Sequence, residues 1–263
     1  MYEEIQIQVK GGNTMDTVTG KKVNQTVLAQ LKALGFSDEV REMPYRLVAS
    51  VSGREKTGKT HFALTAPDPI FFINIDIGTE GVIEKFQAQG KKIYVYDVRV
   101  PRTAKQEVYV PMWENLKAIF QKVYQAGVGT VVVDSDTEAF ELARLAKFGK
   151  LSQVLPHNYV EVNNEYREIL RLAFDSTMNS VFLHKMKAKY VNDKRTNEFE
   201  PSGFGDMEYN SQVNVLMYRE DTDEGPEFSA FIKDCRHNPN VNGEWLRGEM
   251  CNFEFLLALI HGK

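Results

Sequence analysis

Cysteine is nearly missing from this chain, with Cys235 and Cys251 the only two among 263 residues. Two thiols without C-x-x-C spacing supply neither a disulfide framework nor a cysteine-ligated metal site, and they fit a reducing, cytoplasmic setting. No run of 18 apolar residues occurs, which argues against a membrane-spanning helix. The opening decapeptide MYEEIQIQVK starts with acids and has no apolar stretch of the kind a secretory leader carries. An excess of positive charge is missing too: 32 Lys and Arg stand against 36 Asp and Glu, for a formal net charge of −4. That balance excludes a globally basic nucleic-acid binder, so any contact with a polynucleotide has to come from a local basic patch. Internal repeats and low-complexity tracts are absent as well.

Hydrophobic residues make up 43% of the chain, enough to bury a substantial core. Residues 1–45 read as an N-terminal extension. They pass from the polar, turn-rich GGNTMDTVTGKK to one short helix in NQTVLAQLKALGF, where Val27, Leu28, Leu31 and Leu34 recur at helical spacing before Gly35. Residues 46–263 read as one α/β core. Apolar strands (RLVASV, PIFFINIDI, KKIYVYDVRV, GTVVVDS, SVFLH) alternate with helical patterns, the signature of a mainly parallel central sheet with helices on both faces. The clearest helical pattern is PMWENLKAIFQKVYQAG, read as starting at Pro111. Helices also follow over TEAFELARLAKFG and over residues 160–178. Residues 185–206 read as a long polar loop, QVNVLMYRE and EFSAFIKDC as an antiparallel hairpin near the C-terminus, and NFEFLLALIHG as a closing helix. Trp113 and Trp245 read as core or interface anchors.

Within this frame one stretch carries chemistry. VSGREKTGKTHFAL contains Gly53, Gly58, Lys59 and Thr60 in the spacing G-x-x-x-x-G-K-[ST], after a strand and before a helix. Composition alone yields that pattern in roughly one chain per hundred. The residues between (Arg54, Glu55, Lys56, Thr57) and the following His61 complete a loop whose backbone N–H groups can turn toward phosphate oxygens. Lys59 then reaches the β- and γ-phosphates of ATP, and the Thr60 hydroxyl serves as a magnesium ligand. Asp134, at the end of TVVVD, suits the second metal-holding position. It also belongs to a run of helix-capping types, Asp134 to Thr137. Asp76, at the end of the strand after the P-loop helix, is favoured as the acid that orients attacking water. Glu80 is the alternative.

No N-K-x-D motif is present, so base reading of the GTPase kind is not expected. The order of parts from about residue 46 to about residue 236 resembles the RecA-like recombinase core, and in particular the small RecA-like ATPases of bacteriophages associated with recombination and single-strand annealing. The resemblance implies roles for particular residues. FFINID would carry the water-activating acid. VFLHKMKAK would end a sensor strand, with His184 at the sensor position, and open a DNA-binding loop that EPSGFGD closes. Lys233 and Arg236, in FIKDCRHN, would reach ATP across a subunit boundary. Partners would be single-stranded DNA, further copies of the chain in a ring or filament, and a single-strand-binding protein. Lys185, Lys187, Lys189, Tyr190, Lys194 and Arg195 combine cations with an aromatic face, a mixture that suits single-stranded nucleic acid. Lys147 and Lys150 are candidates for a first DNA loop near KFGKLSQ. Two rival readings of the P-loop stay open: a kinase of a small molecule or nucleotide, whose lid the basic segment would supply, and an ATP-binding loader or scaffold with little hydrolysis.

Overall fold

In the computed structural model, residues 17–18, 21–22, 24–40, 42–76, 78–102, 105–151, 154–192 and 194–262 are described. The chain divides into Met1–Met43 and Pro44–Lys263. The first unit holds β1 (Thr17–Val18) paired with β2 (Lys21–Lys22), then α1 (Gln25–Ala33). The Asn24 side chain caps α1 by accepting from Thr26 N at 3.0 Å and Val27 N at 3.4 Å.

In the second unit, continuous apolar runs become strands buried on both faces, and amphipathic runs become the helices that cover them. The elements in chain order are β3 (Val48–Gly53), α2 (Lys59–Leu64), β4 (Ile70–Asn74), α3 (Val82–Ala88), β5 (Ile93–Asp97), α4 (Gln106–Tyr124), β6 (Thr130–Asp134) and α5 (Asp136–Phe148). They continue with α6 (Val160–Asp175), β7 (Asn179–His184), β8 (Met186–Val191), β9 (Lys194–Pro201), α7 (Met207–Asn210), β10 (Val213–Thr222), β11 (Gly225–Cys235), β12 (Trp245–Arg247) and α8 (Phe253–His261). Eight strands form one sheet in the order β12-β11-β10-β3-β7-β6-β4-β5. The six from β10 to β5 are parallel, and β11 and β12 add an antiparallel edge.

Alternation along the strands builds two cores. Ala49, Val51, Phe72, Val132, Val181 and Leu183 face α2, α3 and α8. Val48, Ile73, Val131, Val133 and Phe182 face α4, α5 and α6. Side chains of one strand alternate faces, so Gly53, Asp134 and residue 185 share the face of the first core.

Three segments depart from the sequence reading. Residues 185–206 are not a loop: β8 and β9 form a separate antiparallel ribbon. The alternating lysines of β8 find glutamates opposite them on β9, with Lys187–Glu200 at 3.3 Å and Lys189–Glu198 at 2.7 Å. Helix α4 begins at Gln106, and Pro111 lies inside it. The proline is exposed, so the missing N–H falls on the solvent side, and the fully buried Tyr109 anchors the first turn through a 2.6 Å bond to the Pro101 carbonyl. The short edge strand β12 has no counterpart in the sequence reading. Ile77, in the apolar run after β4, lies outside the described residues, as do Ser152 and Gln153 of the expected first loop.

Candidate nucleotide-binding site

The carboxyl ends of β3, β4, β6 and β7 open into a cavity of about 790 Å³ lined by residues 53–61, Asp76, Asp134 and Lys185. At the loop between β3 and α2, backbone conformation sets the shape. Lys56 and Gly58 take positive φ, 58° and 86°. A side chain at Gly53 would place its Cβ 2.5 Å from Thr57 Oγ1 and 3.0 Å from the Met217 carbonyl. The loop therefore closes tightly only over glycine. Lys59 donates to the carbonyls of Gly53 and Arg54, both at 2.8 Å. Thr60 Oγ1 donates to Asp134 Oδ2 at 2.6 Å. Asp76 lies beside Asp134 in the backbone, since Ile75 N and Asp76 N both bond the Asp134 carbonyl, at 2.6 and 3.1 Å.

Lys185 enters the same cavity. Its ammonium bridges Asp76 at 3.3 Å and Glu138 at 2.9 Å, and Arg102 meets Glu138 at 3.2 Å. Burial opposes the charges here. It pushes the Asp134 carboxyl up, against the Thr60 bond, and pulls the Lys59 ammonium down. Burial also acts to lower Lys185, but Glu138 and Asp76 outweigh it and hold that group above its ordinary value.

This donor set fits a magnesium triphosphate. The Thr60 hydroxyl and the Asp134 carboxylate already meet at one point, as two oxygen ligands of a hard cation do. Lys59 is seated on the loop's own carbonyls, where phosphate oxygens can take their place, and Gly53 keeps the cradle clear of side-chain atoms.

The remaining sequence candidates fall elsewhere. Glu80 is exposed and outside the cavity lining. His184 is 1% exposed and turned away from the cavity toward α5, with Nδ1 3.6 Å from Asp136 Oδ2. Strand parity explains both placements: Lys185 follows Val181 and Leu183 onto the cavity face, and His184 follows Phe182 onto the other. That alternation, visible in VFLHK, is the signal that finds Lys185. Lys233 pairs with Glu208 at 2.7 Å, and Arg236 donates to the Tyr209 carbonyl. Both sit at the end of β11 that pairs with the start of β10, and β10 runs parallel to β3. They thus lie at the opposite end of the sheet from the P-loop of their own chain. Lys147, at the end of α5, pairs with Glu161, and Lys150 is exposed in the turn beyond. At the tip of the β8–β9 ribbon, Tyr190, Lys194 and Arg195 are exposed, with Tyr190 and Arg195 cross-strand partners. Phe199 of β9 lines the cavity, and Arg54 lies over its ring, 4.6 Å from the centroid.

Behind His184, Tyr166 donates to Asp136, which is fully buried and raised to about 7 by desolvation. Burial lowers His184 to about 4. The two opposite shifts overlap between pH 4 and 6.5. Above that window the Asp136 contribution outweighs what remains of the His184 one, and the folded pKa of Asp136 exceeds its unfolded one. Stability should therefore fall as pH rises through 7, by roughly half a kcal/mol between pH 6.5 and 8. Asp136→Asn keeps an acceptor for Tyr166 and should flatten this slope. Denaturant titrations of the metal-free protein at both pH values check it, and an unchanged slope in the variant would refute it.

Residues 46–220 match a family model described as an AAA domain, and the chain belongs to that family. With the loop geometry above, this defines a P-loop nucleotide-binding α/β protein. A KaiC-like protein from the hyperthermophilic archaeon Pyrococcus horikoshii is similar in structure, at 14% identity and a TM-score of 0.45, over 76% of this chain and 84% of that one. No curated protein matches the chain.

Proposed function

We propose that this chain is a magnesium-dependent ATPase with a RecA-like core that couples ATP hydrolysis to contact with single-stranded DNA, in recombination or single-strand annealing of the bacteriophage type. One observation carries the hydrolytic part: Lys59, Thr60, Asp134, Asp76 and Lys185 converge on one cavity at the carboxyl edge of the sheet. Thr60 and Asp134 hold the metal, which when bound supplies positive charge against the phosphates. Lys59 exchanges the carbonyls of Gly53 and Arg54 for phosphate oxygens. Asp76 orients the attacking water, and Lys185 positions Asp76 while presenting an ammonium at the same end of the cavity.

The coupling to DNA runs through Thr137. Its hydroxyl accepts from Lys185 N at 3.0 Å and donates to the Ser202 carbonyl at 2.7 Å. Ser202 N in turn bonds the Lys185 carbonyl at 2.8 Å. The base of the ribbon is thus tied to the first turn of α5, three residues after Asp134. At the far end, the cations and exposed ring of Tyr190, Lys194 and Arg195 suit phosphates and unstacked bases. The chain works as a homo-oligomer, in which Lys233 and Arg236, remote from their own P-loop, exchange Glu208 and the Tyr209 carbonyl for a neighbour's nucleotide.

Phosphate release measured with and without single-stranded DNA tests this. DNA should stimulate turnover. The triple variant Tyr190→Ala, Lys194→Ala, Arg195→Ala should lose that stimulation, keep the DNA-free rate, and bind DNA about tenfold or more weakly. Turnover indifferent to DNA would sink the DNA part. Transfer of phosphate to a small acceptor would favour the kinase reading, and nucleotide-dependent oligomers without phosphate release the scaffold reading.

A further inference from the structure

Arg54 is the first residue of the phosphate loop after Gly53, and its backbone is fixed there. Its carbonyl accepts from Thr57 Oγ1 and from Lys59 Nζ, each at 2.8 Å. The side chain leaves the loop and lies over the ring of Phe199 on β9, with the guanidinium carbon 4.6 Å from the ring centroid. Arg54 and Phe199 both line the nucleotide cavity. Among the described residues no hydrogen bond or ion pair holds this guanidinium, so its N–H donors are unspent. Lys59 and Lys185 differ in this respect, the first seated on two carbonyls and the second on two carboxylates.

The ring belongs to the β8–β9 ribbon, and the ribbon's register explains why it stands there. Met186 pairs with Pro201 and Ala188 with Phe199, so these four share one face, while Lys187 and Glu200 share the other. The apolar face is the one turned to the cavity, where Met186 and Phe199 are both wall residues. Met186 directly follows Lys185, whose ammonium bridges Asp76 and Glu138, so the ribbon stands over the hydrolytic end of the cavity. A guanidinium over a ring face keeps the N–H groups of its edge free to donate, and its planar fork suits phosphate oxygens. We propose that Arg54 is a second phosphate-binding cation, specific for the terminal phosphate of the nucleotide, and that Phe199 is the positioning residue that holds its guanidinium ready. This inference rests on the P-loop reading above. Held on the ring, Arg54 supplements Lys59 and does not replace it. The consequence is regulatory: the ribbon completes the triphosphate site, so displacing the ribbon loosens the triphosphate and spares the diphosphate. By linkage, a triphosphate in the cavity and a ligand that moves the ribbon change each other's affinity by one factor.

Equilibrium binding of two ligands to the full chain tests this, with thermal melting as the fold control. One ligand is a non-hydrolysable ATP analogue with magnesium, the other ADP with magnesium. Arg54→Ala should weaken the analogue about tenfold and leave ADP unchanged, the loss expected for one charge-assisted contact. Phe199→Leu keeps apolar bulk but removes the ring face, and it should weaken the analogue about threefold and ADP not at all. Phe199→Tyr should restore the wild-type affinity. The double variant Arg54→Ala, Phe199→Leu should bind the analogue no more weakly than Arg54→Ala alone, because Phe199 acts only through Arg54. Additive losses, equal losses for the analogue and ADP, or an Arg54→Ala protein that binds the analogue as wild type does would each overturn the assignment and leave the P-loop reading standing. Wild-type protein that bound neither nucleotide would bring down both.

Discussion

Lys59→Ala should lower ATP turnover by about 10²–10³-fold, the loss expected when one preorganised donor to the developing charge is removed. ATP affinity should fall with it, because in the proposed mechanism Lys59 serves bound and reacting phosphates alike. Two other cations on the cavity wall are poorly placed to substitute. Lys185 is engaged by Asp76 and Glu138, and Arg54 lies over Phe199. The fold itself should survive, since the side chain's hydrogen bonds go to the carbonyls of its own loop. Lys59→Arg should fail nearly as badly: a planar guanidinium cannot occupy a seat formed by two carbonyls each 2.8 Å from a point-like ammonium. Phosphate-release and equilibrium nucleotide-binding assays on both variants, with thermal melting as the fold control, check this. Wild-type turnover in Lys59→Ala would remove the catalytic assignment of the loop.

The sheet was legible in the sequence because strands buried on both faces read as unbroken apolar runs, and TVVVD or FFIN allow few alternatives. The hairpin of β10 and β11 was legible for a different reason, the turn chemistry of DTDEGP between two apolar runs. The β8–β9 ribbon was hidden because neither of its faces enters the core. Its alternation is of lysine with small or apolar residues, balanced by glutamates a dozen positions away, and cross-strand charge pairs leave no signature in a local window. The start of α4 was hidden by the prior that proline opens helices, a prior that an exposed face in the second turn relaxes.

The phosphate loop was legible because its residue types follow from backbone geometry and local spacing. The partners of Asp76 were not, since Lys185 lies 109 positions away. Only strand parity separates it from His184, the neighbour that family resemblance favours. Asp136 shows the same limit. Among capping residues it reads as a cap, yet it is fully buried against Tyr166, a contact made only when α6 packs on α5.

Asp76→Asn should leave MgATP affinity at or above the wild-type level and cut turnover by about 10²–10⁴-fold, the range for loss of a positioned base. The substitution preserves shape and a hydrogen bond to Lys185 but removes the negative charge that the proposed mechanism uses to orient water. Removing that charge also lowers repulsion toward bound phosphates, so binding and turnover should separate, the signature of an interaction made in the transition state. Glu80→Gln is the internal control: Glu80 is exposed and outside the cavity, so its variant should hydrolyse ATP at the wild-type rate. Lys185→Ala should fall between the two, because Asp76 keeps its charge but loses the ammonium that ties it to Glu138 at the first turn of α5. Single-turnover hydrolysis at saturating nucleotide ranks the three variants. An Asp76→Asn protein as fast as wild type, beside a slow Glu80→Gln, would move the water-orienting role four residues along the chain and require the turn before α3 to rearrange when nucleotide binds.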